Sequence, residues 1–339
     1  MDFSPAALKP ALAACGAAHY WVAYSGGVDS HVLLHALSAQ RPLAGALIGA
    51  VHVNHGLQAD AAHWQAHCRT VCQALDISYA DLAVDGRASA GESPEAAARQ
   101  ARSRALRDWL PAGHCLLTAQ HQDDQAETLL LQLLRGSGVR GLAAMPSRMV
   151  FGAGHLLRPL LDFPRASLLA YARQHGLQWI EDPSNTDTGI DRNYLRHRVL
   201  PVLRERWPAV SETLARSAGH CAEAADLLAG LAVQDLADLS QGTVDTLPVA
   251  GLQQLPPARR RNVLRDWIAV HTGSAPSTAV LSRVESDVLH SRVDAEPCVS
   301  IGRRELRRYR DRLYLIAPSP EPPPERVLEW DDNNPLILP

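Results

Sequence analysis

The sequence predicts an α/β protein with a doubly wound parallel sheet, followed by a smaller, mainly helical α+β domain. Three observations support this fold class. Strand-like and helix-like segments alternate through the first 134 residues, which is typical of a parallel sheet covered by helices. A glycine-rich turn joins the first strand-like segment directly to a helical pattern. A long helical region and then short strand-like segments follow in the second half of the chain.

The elements of the first part follow one another in regular order. Runs of β-branched and aromatic residues predict strands, and apolar residues at helical spacing predict helices. The predicted strands lie near residues 20–24, 46–53, 77–83 and 114–118. The predicted helices lie near residues 29–39, 59–75, 93–109 and 122–134. In a sheet of this kind, ligands bind at the carboxyl ends of the strands.

The later part of the chain has a different organisation. Residues 135–190 are rich in Gly and Pro and predict irregular connections around a helix near 164–175. Beyond them, we predict helices at 208–240, 256–271 and 276–290. Short strands are predicted at 296–316.

These patterns predict a first domain at residues 1–205 and a smaller one at 206–317 that includes the long connecting helix. The proline run at 318–324 predicts a stiff linker. Residues 318–339 would then begin a further domain that is missing beyond Pro339.

Composition restricts the class of protein. The chain has 339 residues, of which 46% are hydrophobic. No apolar run reaches the ~18 residues of a membrane span, and the first residues do not resemble a secretion signal. We therefore expect a soluble, cytoplasmic protein without a membrane partner. Six cysteines without a Cys-x-x-Cys pair predict reduced thiols rather than a disulfide framework.

Charge is unevenly distributed along the chain. The net charge is −3 overall, but it is −4 over residues 1–134, +4 over 135–200 and +5 over 256–316. Nearly all of the positive charge is arginine, whose planar guanidinium suits phosphate, although a genomic codon preference explains the arginine bias equally well. The basic later parts favour a polyanionic partner such as RNA.

The motif Ser-Gly-Gly-Val-Asp-Ser at residues 25–30 is the most informative segment. Gly26 and Gly27 let the backbone adopt positive φ and approach a ligand closely. The start of the following helix offers N–H groups to an anion, while Ser25 and Ser30 add hydroxyls and Asp29 can hold a metal ion. The motif differs from the Walker and dinucleotide-binding patterns. We interpret it as a phosphate-binding loop; the alternative is a simple turn.

A second polar cluster follows the strand near 114–118. It contains His121, Asp123, Asp124 and Glu127, and Asp123 and Glu127 share a helix face because they are four residues apart. Carboxylates beside a phosphate loop suit Mg²⁺ or the ammonium group of an amino substrate. Helix capping is the alternative explanation, but it accounts for only one or two of the acids.

Two weaker signals lie on either side of this cluster. His52, in the segment His-Val-Asn-His-Gly-Leu, ends the second predicted strand and could meet a nucleotide base there. Arg99 and Arg102 are three apart on a predicted helix, so both could reach phosphate, or both could be solvated. The spacing of His63, His67, Cys68 and Cys72 could suit a metal, but we expect surface histidines and core cysteines.

Cations and an aromatic residue alternate in the segment Arg192-Asn193-Tyr194-Leu195-Arg196-His197-Arg198. This combination suits contact with a nucleic-acid backbone and an unstacked base. The alternative is a solvated helix start.

Taken together, the motifs resemble those of one family, the tRNA(Ile)-lysidine synthases, which are PP-loop ATP pyrophosphatases. The loop, a His-x-x-His-Gly-Leu segment, Ala-Arg-x-x-Arg and His-x-Asp-Asp-Gln-x-Glu-Thr occur in the family's order. Leu-Arg-Pro-Leu, Glu-Asp-x-Ser-Asn and Arg-Asn-x-x-Arg follow, so the resemblance spans residues 25–198. The chain departs from the pattern at Gln58, where a basic residue is common, and at Gln120, where a second His is expected.

The resemblance implies an ATP- and Mg²⁺-dependent ligation of free L-lysine to the wobble cytidine of CAU-anticodon tRNA(Ile), through an adenylated cytidine. It further implies an ATP site, for which the matching residues are Ser25, Gly26, Gly27, Val28, Asp29, Ser30, His52, Arg99 and Arg102. The catalytic residues it implies are Asp29, Asp123, Asp124 and Glu127, with the metal held by Asp29 and Asp124. Contact with tRNA is expected from Arg192, Asn193, Arg196 and Arg198. A homodimer is a further expectation.

Other enzymes and a non-catalytic protein remain as alternatives. A tRNA thiolase could share the loop, but it would rely on catalytic or cluster-binding cysteines. The cysteines of this chain are isolated from one another, which argues against a thiolase. A small-molecule synthetase would not need the basic segments. A regulator that only binds ATP would not need Asp124 and Glu127 beside the phosphates.

Overall fold

The computed structural model describes residues 2–40, 46–54, 61–85, 94–240, 245–292 and 295–318. The chain divides into two compact units, Met1–Ala225 and Asp226–Pro339. The division falls inside a long helix, whereas the predicted domain boundary lay after residue 205, before that helix begins.

The first unit is built on a six-stranded sheet, which confirms the predicted α/β class. Its strands are β1 His19–Ala23, β2 Leu47–Asn54, β3 Ser78–Ala83, β4 His114–Leu117, β5 Arg148–Phe151 and β6 Gly154–Leu157. Their order in the sheet is β3-β2-β1-β4-β6-β5. All neighbours pair in parallel except β5, which is antiparallel to β6. The carboxyl ends of five parallel strands therefore meet at one edge.

Helices cover the sheet on both faces. The longer ones are α1 Lys9–Cys15, α2 Val28–Ser38, α3 Ala61–Ala74, α4 Pro94–Trp109, α5 Gln122–Leu134 and α7 Arg165–Gln174, with the short α6 Val139–Leu142 between the last two. Alternate strand residues point to opposite faces. Leu117 accordingly belongs to a large core with α2 and α7, while Leu116 belongs to a smaller one with α4.

The hairpin of β5 and β6 corrects the prediction of irregular connections in this region. Each strand has only four residues, too few to display a clear alternating pattern. The predicted helix near 164–175 is confirmed as α7. Past α7, a 3₁₀ turn spans Pro183–Thr186, and α8 Asp191–Tyr194, a π-helical turn Leu195–Val199 and α9 Leu200–Arg206 follow in succession.

The second unit has its own sheet and core. The helix α10 Val210–Ser240 enters it, and α11 Val249–Gln254, α12 Pro257–Thr272 and α13 Thr278–Arg283 follow, α13 ending in a π-helical segment Val284–Leu289. The strands are β7 Thr246–Pro248, β8 Cys298–Ile301, β9 Arg304–Tyr309 and β10 Arg312–Ile316. They form an antiparallel sheet in the order β7-β10-β9-β8, and Trp267 is fully buried in the core.

Strand β7 was not predicted, because three residues carry no usable periodicity. Among the described helices, none combines the length and the apolar composition needed to cross a membrane.

Candidate active site

The glycine-rich loop follows β1 at the carboxyl edge of the sheet. Tyr24 N–H still donates to Val51 O at 2.9 Å, as in the sheet. Gly26 then adopts φ +84°, a left-handed conformation that glycine tolerates best. Gly27 is extended and forms the N-cap of α2. The loop thus leads directly into a helix N-terminus, as an anion site requires.

Hydroxyl groups fix the shape of this loop. Ser30 Oγ donates to Gly27 O at 3.0 Å and lies 3.1 Å from Ser25 Oγ. Ser30 and Val28 are buried, whereas Ser25 is exposed. Ser25 therefore offers its hydroxyl to a ligand, while Ser30 supports the loop from inside.

His52 lies beneath the loop. The ring is 6% exposed, and its Nδ1 is 2.9 Å from Tyr24 O. Because a carbonyl only accepts, His52 donates Nδ1–H to it. Burial lowers the pKa of His52, although the Tyr24 bond acts against this. Contact of His52 with a nucleotide base stays a prediction. His55, in the same motif, and Gln58 lie outside the described residues.

The acid cluster is held at the start of α5. His121 is 1% exposed and is the N-cap of this helix. Its Nδ1 accepts from Asp124 N–H at 3.3 Å, and Asp124 Oδ2 accepts from His121 N–H at 3.1 Å. This reciprocal pair is a capping box, so the capping explanation holds for part of the cluster.

Two arginines pair with Glu127 and Asp124 and neutralise their charge. Glu127 is 1% exposed; Arg192 Nε donates to its Oε2 at 2.7 Å, and Arg196 Nε donates to its Oε1 at 2.6 Å. The guanidinium groups of both arginines also reach Asp124 Oδ1, at 3.0 and 3.1 Å. We call these four residues the acid–arginine cluster. Arg192 and Arg196, expected to contact tRNA, here point inward to the acids.

Asp123 joins three separate segments. Its Oδ2 accepts from Arg165 N–H at 2.9 Å, and its Oδ1 accepts from Ser211 Oγ at 2.8 Å and from Arg204. Burial acts to raise the pKa of Asp123, but these hydrogen bonds and nearby cations lower it overall. With both oxygens occupied, Asp123 positions α7 and the start of α10.

Asp29 differs because one of its carboxylate oxygens has no hydrogen-bond partner. Asp29 Oδ1 is buried without a hydrogen-bond partner, although Arg165 Nε lies 3.7 Å away. Asp29 Oδ2 is 3.7 Å from His121 Nε2. Burial acts to raise the pKa of Asp29, but His121, Arg165 and Arg196 lower it overall. Conversely, burial acts to lower the pKa of His121, and the neighbouring aspartates raise it overall.

These environments decide which residues suit a metal ion. The unpaired Asp29 oxygen fits Mg²⁺, which typically uses one or two carboxylates together with substrate phosphates. Asp124 fits less readily, because its oxygens are already bonded to Arg192, Arg196 and His121. Among the described residues, no group of three or more His, Cys, Asp or Glu could hold a metal alone.

A cavity of about 850 Å³ opens beside the acid–arginine cluster. Glu127 and Arg196 form one wall, and Asp123, Arg165 and Ser211 form another. The cavity presents a negative charge at Glu127 and a positive charge at Arg196. It can therefore receive a substrate that carries both an ammonium and a carboxylate group.

Of the remaining predicted site residues, Asn193 is buried, whereas Arg99, Arg102 and Arg198 are exposed. Asn193 donates to Ser184 O and Asp187 O, both at 2.9 Å, so it shapes the preceding turn. Arg99 lies on α4, with Arg102 one turn further on.

Sequence reasoning did not assign site roles to His121, Arg165, Arg204 and Ser211. One signal was available for Arg165, which is the first residue of α7. A cation there opposes the helix dipole and so indicates an acidic neighbour. Arg204 and Ser211 meet Asp123 only through the tertiary fold, and no local pattern marks them.

The cysteines agree with the prediction of reduced thiols. All six are free, and Cys68 and Cys72 are buried in the main core. Burial raises the pKa of both thiols to about 12, so they stay uncharged. The expectation of core cysteines next to His63 and His67 is therefore confirmed.

The known proteins that this chain is similar to agree with its motifs. Residues 5–203 match the family described as PP-loop domain, and residues 247–314 match the TilS substrate binding domain. The tRNA(Ile)-lysidine synthase of Methylococcus capsulatus is 47% identical, over 94% of this chain and 73% of the relative. The enzyme of the same name from Alkalilimnicola ehrlichii is 48% identical, over 100% of this chain and 76% of the relative.

A solved structure supports the fold. The U34-tRNA thiolase NcsA from Methanococcus maripaludis aligns with a TM-score of 0.55, covering 65% of this chain and 77% of that chain. At 16% identity, the likeness shows a shared fold alone.

Proposed function

The chain belongs to the tRNA(Ile)-lysidine synthase family, and from this premise we propose which residues carry each step of its reaction. Enzymes of this family are ligases that form a carbon–nitrogen bond, and the PP-loop domain uses ATP. The substrates are ATP, free L-lysine and tRNA(Ile) with a CAU anticodon. The thiolase and regulator alternatives are not favoured by these relatives.

In the first step, the wobble cytosine carbonyl oxygen attacks the α-phosphorus of ATP, and the α–β phosphoanhydride bond breaks. Negative charge develops on the departing pyrophosphate. Backbone N–H groups at Gly26 and Gly27, together with the Ser25 hydroxyl, stabilise that charge. Arg99 and Arg102 are proposed to bind phosphate as well. Mg²⁺, held by Asp29 with Asp124 nearby, would neutralise phosphate charge.

In the second step, the lysine side-chain amine attacks the activated carbon of the cytosine ring, and AMP leaves. The amine attacks as the free base, so its proton must be removed first. Glu127 lines the cavity and is the proposed base. Glu127 and Asp124, which share the same two arginines, also suit the ammonium group as counter-ions. Arg192 and Arg196 hold these acids in place. When lysine enters, its ammonium group replaces part of the arginine contact.

Contact with tRNA is assigned to the outer surface of the same segment. Arg198 is exposed beside Tyr194, whose side chain is 52% exposed. A cation beside an accessible ring suits a phosphate and an unstacked base. Asn193 contributes indirectly, since it fixes the turn at Ser184 and Asp187. The domain limits at 205 and 317, a homodimer and a cytoplasmic location remain part of the proposal.

One observation carries this proposal most directly. His121 lies between Asp29, on the phosphate loop, and Asp124, in the acid–arginine cluster, with its Nε2 within 3.7 and 3.4 Å of the two carboxylates. The phosphate-binding and amine-binding halves of the site are thus adjacent, as a two-step ligation requires.

The test is incorporation of radiolabelled lysine into an unmodified CAU-anticodon tRNA(Ile) transcript, with and without ATP and Mg²⁺. We expect ATP-dependent labelling that survives base treatment, because lysine is joined to cytidine and not held as an ester. Pyrophosphate release without any labelling would refute lysine as the nucleophile.

A further inference from the structure

Arg158 directly follows β6 at the carboxyl edge of the sheet, and Arg99 and Arg102 lie on α4, which packs on one face of that sheet. Arg158 Nη1 donates to Pro146 O at 2.6 Å, and Met149 Sδ lies 3.9 Å away. Within the described ranges, no carboxylate pairs with any of the three arginines. A half-buried guanidinium without an acidic partner is unusual, because burying an unpaired charge is costly.

Strand alternation places Arg158 on the α4 face of the sheet. Leu156 packs on that face with Leu116, while Leu157 packs on the opposite one. Arg158 is two residues after Leu156, so it lies on the α4 face. Thr118 follows Leu116 in the same way, and Thr118 N–H donates to Leu157 O at 3.0 Å. Thr118 and Arg158 are therefore neighbours on adjacent strands.

Helix periodicity brings two more arginines to this face. Leu106 of α4 is buried against the sheet. Arg99 is two turns before Leu106 and Arg102 is one turn before it, so both lie close to the same helix stripe. They project beyond the core toward the carboxyl edge of the sheet. Arg104 is on the opposite side of α4 and is exposed.

Three polar atoms on this face lack hydrogen-bond partners. Arg158 Nε, Thr118 Oγ1 and Gln120 Oε1 are all buried without a hydrogen bond. Ala119 packs into the opposite core, so Gln120 points to the same side as Thr118. Burial, and then the charge of Arg99, lowers the pKa of Arg158. Arg158 Nε–H and the Thr118 hydroxyl are unused donors, whereas Gln120 Oε1 can only accept. Two unused donors beside cations that disfavour one another suit an anion.

We propose that Arg158, Arg99 and Arg102 form one phosphate-binding site, with Thr118 as a further hydroxyl donor. Guanidinium groups bind phosphate through paired, charge-assisted hydrogen bonds. The phosphate belongs either to ATP or to the tRNA backbone next to the acceptor cytidine. The inference rests on the proposed function for its ligands, but it adds Arg158 and Thr118 to the site.

The test compares Arg158→Gln and Arg99→Gln with the matched control Arg104→Gln. Equilibrium binding of ATP and of a tRNA(Ile) anticodon stem-loop is measured separately, without turnover, so the result does not depend on lysine transfer. We expect both variants to weaken the same ligand at least tenfold, because each removes a charge-assisted hydrogen bond to the phosphate. The control should bind both ligands like the wild type.

The ligand that weakens identifies the source of the phosphate. If it is the stem-loop, the slope of log affinity against log salt should become shallower by about one, as for one lost phosphate contact. The proposal is overturned if Arg158→Gln binds both ligands normally, whatever Arg99→Gln does, or if the two variants weaken different ligands. Should Arg158→Gln fail to fold, Thr118→Val takes its place, and wild-type affinity in both Thr118→Val and Arg99→Gln overturns the proposal.

Discussion

Arg196 binds both carboxylate oxygens of Glu127, with Nε 2.6 Å from Oε1 and Nη2 2.8 Å from Oε2. A bidentate pair of this kind fixes direction as well as charge. Because Glu127 is almost completely buried, its negative charge depends on this partner and on Arg192. The proposed amine-binding half of the site is thus held in place by its own ion pairs.

Replacing Arg196 with Lys should therefore reduce lysine transfer while leaving the fold intact. Lysine keeps the positive charge but cannot form two parallel hydrogen bonds. We expect kcat/KM for L-lysine to fall at least tenfold, corresponding to about 1.4 kcal/mol or more of lost interaction. Arg206→Lys, at an exposed position at the end of α9, is the control. Unchanged kinetics in Arg196→Lys would contradict the role given to this pair.

Asp29→Asn should block adenylation. The change removes the charge of the carboxylate whose Oδ1 has no hydrogen-bond partner. The proposed Mg²⁺ ligand is lost with that charge. We expect pyrophosphate release to fall by at least two orders of magnitude, in line with loss of a major electrostatic contribution. Asp124→Ala should also impair release. The control is Asp81→Asn, which removes a surface pair with Arg69. Normal pyrophosphate release in Asp29→Asn and Asp124→Ala would show that these acids have other roles.

Asp123 should matter for stability more than for chemistry. Asp123→Ala leaves Arg204 and Ser211 without their shared acceptor. Because the Arg204 side chain is 39% exposed, we expect a loss of about 1–3 kcal/mol, less than for a fully buried pair. Ser211→Ala should cost only about 1 kcal/mol. Chemical denaturation measures both, and Ser217→Ala, at an exposed position, is the control. A stable Asp123→Ala variant that has lost only catalysis would instead support a catalytic Asp123.

His31 should make the first unit sensitive to acid. Burial, reinforced by His67 and His35, lowers the pKa of His31 to about 4 in the folded protein. Its pKa in the unfolded chain is about 6.5, so the unfolded state binds the proton first. Stability contributed by neutral His31 is present above pH ~6.5 and is lost as the pH falls toward 4, by about 3 kcal/mol in total.

Unfolding free energies at several pH values test this prediction. The wild type should lose about 1.4 kcal/mol more per pH unit than His31→Gln between pH 6 and pH 4.5. His63→Gln, at an exposed histidine, should keep the wild-type slope. Equal slopes for the wild type and His31→Gln would mean that His31 does not stay neutral in the fold.

Much of the fold was predictable because its signals are local. Strands β1 to β4 and helices α2 to α5 follow from alternation and helical spacing, and α10 follows from its long helical pattern. The β5–β6 hairpin and β7 were missed, because strands of three or four residues carry too little pattern. The hairpin is recognisable only through its pairing with β4.

The site was predictable where one short segment contains the chemistry. The loop from Ser25 to Ser30 and the acids of α5 were found because spacing alone places them at strand ends. The partners of these acids were harder to assign. Arg192 and Arg196 were expected to face tRNA, because the sequence shows their positive charge but not where their side chains point. Their pairing with Glu127 spans 65 and 69 residues, so no local pattern marks it.

The most direct test of the central claim follows the α-phosphate of labelled ATP. Without lysine, the wild type should transfer labelled AMP to CAU-anticodon tRNA(Ile), and adding lysine should release the label as AMP. Glu127→Gln should form the same adenylated tRNA but release AMP much more slowly when lysine is added. Label found on lysine instead of tRNA, or release by Glu127→Gln at the wild-type rate, would contradict this account of the site.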